Sequence, residues 1–568
     1  MNVLLLAAVL TASGEPLLPQ WMTEEESLMV NEIGRGHLIT TPPDGWVETP
    51  AEFEKLRGIF ITWIYGSSST NQIFRQIVEE AGEICKVYVI VGSTSEQNSI
   101  TSYLQSYNIS LDSVDFYIWP RNSIWIRDYG PWFIREHGNT EGIADFIYNR
   151  PRPLDDTIPW RIGQSWGMPV YGSPLEHAGG NFMVDGLGTG FASTLIQQEN
   201  PWLTTAQIES LMLAYSGLDQ FIIMPRINIE YTGHIDLWTK ILNDTLVMVG
   251  EYAPGHPNHT MLNDNADSIS RCMNREGFNY RIVRIPMPWS TSSAPPSYLN
   301  SLFVNNKVLV PIYNLPEDDT ALFVYQQALP EHEIIGIDCS SMLGSGGAIH
   351  CITITAPEAE FIHVKHWPLP DTNDTLNDYR VRAEIITSSA LISDSALVYY
   401  SVNSGVYTTV PLAPVVDTPG VYSGHIPAQS HEDTIHYYIK VQNEEGSQRT
   451  SPRHVPPQSY SFVVAGNPGV HEHYTREIST RIVTSPNPAR DNMLFAFDLN
   501  DPAHVRIEVY NALGQMIKII ADATYEAGYT EILWDLTDEN RRKLPQGIYF
   551  YRMYNDLEEG TGKILLID

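Results

Sequence analysis

The pattern of apolar residues changes character near Pro357, and this change most constrains what the chain can fold into. Upstream, from about residue 41 to 355, helical windows at 70–84 and 205–215 alternate with short apolar strands at 87–91, 246–249 and 307–311. That mixture predicts one large α/β domain. Downstream, the helical signal nearly vanishes, and period-2 segments bounded by turn residues take over at 379–386, 396–401, 421–426, 434–441 and 460–464. Roughly 100 residues of this kind predict an immunoglobulin-like sandwich. A polar connector follows, and Ser485-Pro486-Asn487-Pro488-Ala489 opens a second β unit with strands at 492–498, 505–510, 516–520, 530–535 and 547–554. Asn511-Ala512-Leu513-Gly514 supplies a turn within it.

The length agrees with several domains, since 568 residues exceed what one hydrophobic core supports. Asp and Glu outnumber Lys and Arg by 67 to 34, giving a formal charge of −33, which argues against a nucleic-acid partner. The first residues, Met1-Asn2-Val3-Leu4-Leu5-Leu6-Ala7-Ala8-Val9-Leu10 followed by Ala12, Ser13 and Gly14, resemble a short secretory signal without a basic leader. No later run reaches transmembrane length. Cys85, Cys272, Cys339 and Cys351 are far apart and form no C-x-x-C, so neither a disulfide scaffold nor a zinc knuckle is signalled, and Cys85 and Cys272 read as small buried hydrophobes. The acidic runs Asp155-Asp156 and Glu317-Asp318-Asp319 could hold a calcium ion, although neither has EF-hand spacing.

Four separated stretches carry chemistry. Gly346-Gly347-Ala348-Ile349-His350-Cys351-Ile352-Thr353 places a thiol at the mouth of a β-branched segment, with His350 directed to the opposite side in a structural role. In Tyr231-Thr232-Gly233-His234-Ile235-Asp236, a strand would project His234 and Asp236 from one face, or the two form a hydrogen-bonded structural pair. Asp128 lies in Trp125-Ile126-Arg127-Asp128-Tyr129-Gly130-Pro131-Trp132, as a site carboxylate or as part of a turn. In Asn149-Arg150-Pro151-Arg152-Pro153 the prolines predict an extended, rigid segment presenting two guanidinium forks suited to a carboxylate, or else a solvated loop. The glycine-rich His177-Ala178-Gly179-Gly180-Asn181 is not followed by a helix and makes a poor nucleotide loop.

Four segments in order, "WIRDYGPW", "HAGGNFMVDG", "YTGHIDLW" and "GGAIHCIT", resemble the agmatine deiminase and bacterial peptidylarginine deiminase family of guanidino-modifying enzymes. The resemblance implies a pentein catalytic domain, a five-module α/β propeller around a central cavity, over 44–358. It implies Cys351 as nucleophile, His234 as proton carrier, and Asp128 and Asp236 as clamps on the guanidinium nitrogens. Arg150 and Arg152 match an element that binds a substrate α-carboxylate, and Trp125 and Tyr231 match aromatic positions lining the substrate channel. Asn300 either orients the nucleophile region or caps a turn. No metal or organic cofactor is required by this route.

The last 85 or so residues resemble the C-terminal sorting domain of type IX secretion cargo, through the S-P-N-P start, "VYNALGQ" and "LPQGIYFYRM". The division expected is a signal peptide at 1–14, a pro-segment at 15–43, the catalytic domain at 44–358, and the immunoglobulin-like domain at 359–465. A linker at 466–484 and a β-sandwich sorting domain at 485–568 complete it. The implied protein is secreted or attached to the outer-membrane surface. It would hydrolyse peptide arginine, by preference C-terminal, to citrulline and ammonia through a covalent thiouronium. The enzymatic alternative is agmatine deiminase or another guanidine hydrolase, and the non-enzymatic one an adhesin on an inactive pentein scaffold. A cysteine protease fits less well, because two carboxylates suit a cation better than an oxyanion.

Overall fold

A computed structural model describes residues 17–66, 68–136, 140–228, 230–366, 368–415, 418, 420–453, 458–464, 483–485, 489–490, 492–499, 503–511, 516–525, 528–539, 541–554 and 559–566. The expected signal peptide, the connector up to 482 and the turn at 512–514 lie outside the described residues.

Upstream of Pro357 the described strands form five sheets of shared connectivity. In each, an antiparallel neighbour joins a strand that runs through a helix into a parallel partner. Thr239–Asn243 pairs with Leu246–Glu251, which crosses through helix His259–Ser270 to Arg281–Pro286. Leu302–Val304, Lys307–Ile312, helix Asp318–Ala328 and Glu333–Asp338 repeat the pattern. Met183–Val184, Thr189–Ser193, helix Thr205–Ser216 and Gln220–Met224 form another unit. Trp132–Glu136, Thr140–Ile147, helix Ile158–Trp166 and Val170–Glu176 form the next, with Val47–Glu48 added at its edge. The fifth is closed from both ends of the region: Thr353–Pro357 pairs antiparallel with Leu56–Thr62, followed by Lys86–Val91 and Val114–Ile118 in parallel.

The sequence explains these units locally. Ile59, Phe60 and Ile61 are buried on both faces of their strand, as a strand within a covered parallel sheet must be. Helix Thr205–Ser216 starts with a capping box between Thr204 and Gln207 and stops at Gly217, whose φ of 69° is a left-handed C-cap that disfavours other residues.

Downstream the structure is all β. Tyr379–Thr387 and Thr434–Gln442 alternate buried and exposed side chains along antiparallel sheets, as period-2 segments with one dry face do. Val381, Ile385, Val398, Ile435, Tyr437 and Ile439 form a separate core between them. This unit packs on the α/β region: Arg453 pairs with Glu54 at 2.8 Å, His363 with Glu48, and Ser451 donates to Glu276 at 2.9 Å. The last described strands build a third core around Phe495, Phe497, Val505, Ile507 and Trp534. Among the described residues, no helix is long and apolar enough to cross a membrane.

Candidate active site

The connections between consecutive sheets converge, and each contributes to one buried cluster. Asp128 lies in the single helical turn Ile126–Tyr129 ahead of strand Trp132–Glu136. Gly180 lies in the 3-10 turn Gly179–Asn181, His234 and Asp236 at the 3-10 turn Ile235–Leu237, Asn300 just before Leu302–Val304, and Cys351 two residues before Thr353–Pro357. Cys351, His234, Asp236, Asp128 and Asn300 are all buried.

His234 and Asp236 are not strand neighbours, which corrects the alternation expected for them. Glu230 accepts from the amides of Thr232 and Gly233 and bends the chain, and Gly233 takes a φ of 74°. A Cβ at Gly233 would also sit 2.8 Å from the Arg226 guanidinium, so this corner excludes a side chain for two reasons. The loop then delivers both residues to the cluster through a turn.

Cys351 Sγ lies 3.1 Å from Asn300 Nδ2 and 3.5 Å from Asp236 Oδ2. Asn300 also donates to Asp236 Oδ2 at 3.0 Å, while its Oδ1 accepts from the amides of Ala348 at 2.9 Å and Cys351 at 3.3 Å. It therefore ties the nucleophile's loop to the carboxylate. His234 Nδ1 is 3.5 Å from Asp128 Oδ1, and the Gly180 amide donates to that oxygen at 3.1 Å. A Cβ at Gly180 would collide with His234 and lie 2.9 Å from Asp128, so the second motif is glycine-rich because the backbone itself faces the site.

His350 does not stand apart, contrary to the expectation that it points away. Its Nδ1 contacts Asp236 Oδ2 at 2.7 Å and its Nε2 contacts Glu52 Oε2 at 2.7 Å. Residues 349–352 form turns, with Thr353 the first strand residue, so strand alternation does not apply there. Glu52 also binds Lys240 at 2.6 Å and Arg127 at 3.2 Å, giving the back of the site a buried charge network.

These contacts set the electrostatics. Burial alone would raise the Asp236 carboxyl, but the hydrogen bond and charge of His350, with His234 and Arg127, hold it below the usual range. Burial likewise opposes Glu52, yet Lys240, His350 and Arg127 keep it well below. The Cys351 thiol is pushed well above its ordinary value, by burial first and then by Asp236 and Asp128, with Asn300 and Gln20 offsetting part of this. Among the described residues, Asp236 Oδ1 and His234 Nε2 are buried without a hydrogen-bond partner. The orphaned carboxylate oxygen suits a ligand made only of donors, and a guanidinium is one. Among the described residues, no group of His, Cys, Asp and Glu could hold a metal ion.

The remaining predicted residues face the N-terminal segment. Arg150 Nε donates to the Gln20 carbonyl at 3.0 Å. Arg152 is paired with Glu26 at 2.7 Å, and Trp125 Nε1 donates to the Leu18 carbonyl at 2.8 Å. The exposed Tyr231 stacks against Trp21 with centroids 4.8 Å apart. Residues 149–153 bend, with the Arg152 amide bonded to the Arg150 carbonyl, so the two prolines do not hold an extended strand. Gln20 reaches the reacting groups themselves, and no periodicity in "LPQWMTEEES" signals it.

Solved structures share the fold of the five-sheet region. A crystal structure described as a peptidyl-arginine deiminase superposes with a TM-score of 0.51 at 23% identity, covering 55% of this chain and 99% of that one. An agmatine deiminase of Enterococcus faecalis gives a TM-score of 0.50 at 20% identity, covering 57% and 99%. A Vibrio parahaemolyticus protein bearing the name agmatine deiminase is 27% identical over 365 residues, 56% of this chain and 99% of its own length. The chain belongs to the Porphyromonas-type peptidyl-arginine deiminase family, whose family model matches residues 48–357. Membership supports hydrolysis of a guanidino group. Residues 485–567 match the secretion system C-terminal sorting domain, here of type IX, which indicates secretion.

Proposed function

We propose that the chain is a secreted peptidylarginine deiminase that converts arginine, by preference at a peptide C-terminus, to citrulline and ammonia. Asp128 and Asp236 grip the guanidinium nitrogens by charge-assisted hydrogen bonds, with Asp236 Oδ1 an acceptor still unpaired among the described residues. The bound cation offsets the two carboxylates and lowers the Cys351 thiol toward its thiolate. The thiolate adds to the central carbon and forms a C–S bond. His234 gives a proton to one amino group, the C–N bond breaks, ammonia departs, and a thiouronium remains on the enzyme. His234 then takes a proton from water. Hydroxide adds to the same carbon, the C–S bond breaks, the hydroxyl proton is lost to solvent, and the ureido product leaves with the thiolate regenerated. Asn300 steadies Cys351 throughout.

The choice of a chain-terminal arginine rests on Arg150 and Arg152. Both guanidinium groups are buried and contact the segment that carries Gln20 into the cluster, and agmatine has no carboxylate to offer them. Trp125 and Tyr231 contact the same segment and would pack the arginine's methylene stem. In this reading the five sheets are the five modules of a propeller around the site. Residues 44–358 form the catalytic domain, 359–465 an immunoglobulin-like support, 466–484 a linker, and 485–568 the sorting domain, by which the protein reaches the outside or the cell surface.

The observation that carries the proposal is the convergence of a thiol, an imidazole and two carboxylates on one buried point beside two arginines. Turnover of agmatine, free arginine and peptides ending in arginine tests it, with Cys351→Ala as control. Peptides ending in arginine should react fastest, and the control should release no ammonia; a strong preference for agmatine would remove the role given to the arginine pair.

A further inference from the structure

The N-terminal segment runs through the site as a bound peptide would. The Gln20 amide donates to the Ser345 carbonyl at 2.9 Å, and the Gln20 carbonyl accepts from Arg150. On either side, the Pro19 and Trp21 carbonyls accept from Arg152 at 2.8 and 3.2 Å, and the Leu18 carbonyl accepts from Trp125. The Gln20 side chain enters the cluster: its Nε2 lies 3.1 Å from Asp128 Oδ2, 3.4 Å from His234 Nδ1 and 3.2 Å from Cys351 Sγ. Gln20 Oε1 is buried without a partner, the mismatch expected when a carboxamide occupies a seat lined by acceptors. Six residues on, Glu26 closes a capping box with Thr23 and puts its carboxylate on Arg152, through Nε at 2.7 Å and Nη2 at 3.0 Å.

We propose that residues 17–27 are a substrate-mimicking plug, with Gln20 in the seat of the arginine head group and Glu26 in the seat of the substrate carboxylate, and that the enzyme stays latent until the plug leaves. This rests on the reading of the site given above. A glutamine side chain is two bonds shorter than arginine and carries no charge, so the plug sits deeper than a substrate backbone and presents no guanidinium carbon to the thiol. The anchorage is local. Beyond Ser27, Leu28, Val30, Asn31, Arg35 and Gly36 are exposed, while Gly34 lies against Ile147, His37 contacts the Ser173 carbonyl at 3.0 Å, and the Thr40 amide donates to Gly172 at 2.9 Å. A protease could cut the exposed stretch without touching the folded region.

The test uses the full chain and its Gln20→Gly, Glu26→Ala double variant, with two readouts. One is citrulline formed from a peptide ending in arginine. The other is alkylation of Cys351 by 2-chloroacetamidine, an amidinium whose chloride the thiolate displaces to form a thioether, read by mass spectrometry. The double variant should gain about tenfold or more in both, because the open state no longer competes with a bound plug. A synthetic peptide spanning residues 17–27 should inhibit it, and the same peptide with Gln20→Ala should inhibit less. Equal turnover and equal labelling in the two proteins would overturn the plug and leave the deiminase reading standing. Faster labelling with no hydrolysis of any guanidine would support the plug and sink the deiminase reading.

Discussion

His350 Nδ1 lies 2.7 Å from Asp236 Oδ2, so the chain neighbour of the nucleophile holds the carboxylate that the nucleophile faces. The imidazole is fixed from behind by Glu52, and Asp236 in turn keeps its Oδ1 unpaired among the described residues. His350 is thus a positioning residue. His350→Ala should lower kcat/KM for a peptide ending in arginine by about 100-fold, the cost of misplacing a clamp by about an ångström. The acidic limb of the pH profile should move upward, because Asp236 loses the partner that holds it low. His350→Gln, which can still donate to Asp236, should recover part of the rate; an unmoved pH profile in His350→Ala would reduce the residue to packing.

The direct chemical roles predict larger losses. Cys351→Ala should remove turnover by roughly three orders of magnitude or more, since covalent capture has no substitute. Asp128→Asn removes a charge-assisted hydrogen bond and should cost about 10- to 100-fold in kcat/KM. Steady-state assays on both variants check this, with circular dichroism confirming that each remains folded.

Gly180→Ala is the most economical probe of site geometry. Its methyl would strike His234 and crowd Asp128, while the surrounding backbone has ordinary φ values. Activity should fall at least about 100-fold with the thermal midpoint shifted by only a few degrees. Wild-type activity in this variant would contradict the placement of His234.

Thiol reactivity should depend on the charge of the reagent. Without a bound cation Cys351 lies well above the ordinary thiol range, so the reactive thiolate appears only as pH rises past that range. Neutral iodoacetamide should therefore label it slowly at pH 7, with a rate still climbing at about pH 9, above the ordinary thiol value. A cationic amidine brings its own compensating charge and should label at lower pH. Identical profiles for the two reagents would show that the carboxylates do not govern the thiol.

Two buried imidazoles make stability depend on pH. Burial lowers His366 from 6.5 to about 4, and burial followed by His234 lowers His177 from 6.5 to about 3. The unfolded chain therefore binds protons first as pH falls, and stability decreases from about pH 6.5 down to those values. The thermal midpoint should rise with pH across that window, and His366→Gln should flatten the part carried by the downstream β unit. A slope unchanged by that substitution would remove His366 from the account.

The sequence made much of this site legible, for physical reasons that also mark its limits. Cys351, His234, Asp236 and Asp128 stand in compact motifs, and the structure brings all four together with Asn300. Strand periodicity located the β elements after Pro357 closely; 421–426 and 547–554 match the strands found. It failed at 234–236 and 350–351, where turns replace strands and alternation carries no information. Glu52 and Gly180 act through contacts far apart in the chain, which no local pattern encodes. Gln20 was hidden because a plug needs only one matching side chain and backbone carbonyls, neither of which leaves a periodic trace.

The proposed substrate rests on the arginine pair, and one comparison tests it. Citrulline formation is measured for a peptide ending in arginine and for its C-terminally amidated twin, on the full chain and on the Gln20→Gly, Glu26→Ala variant. The free acid should be favoured by about 30-fold or more in kcat/KM, the worth of a buried charge pair lost on amidation. Equal rates for acid and amide in both proteins would contradict the carboxylate recognition assigned to Arg150 and Arg152.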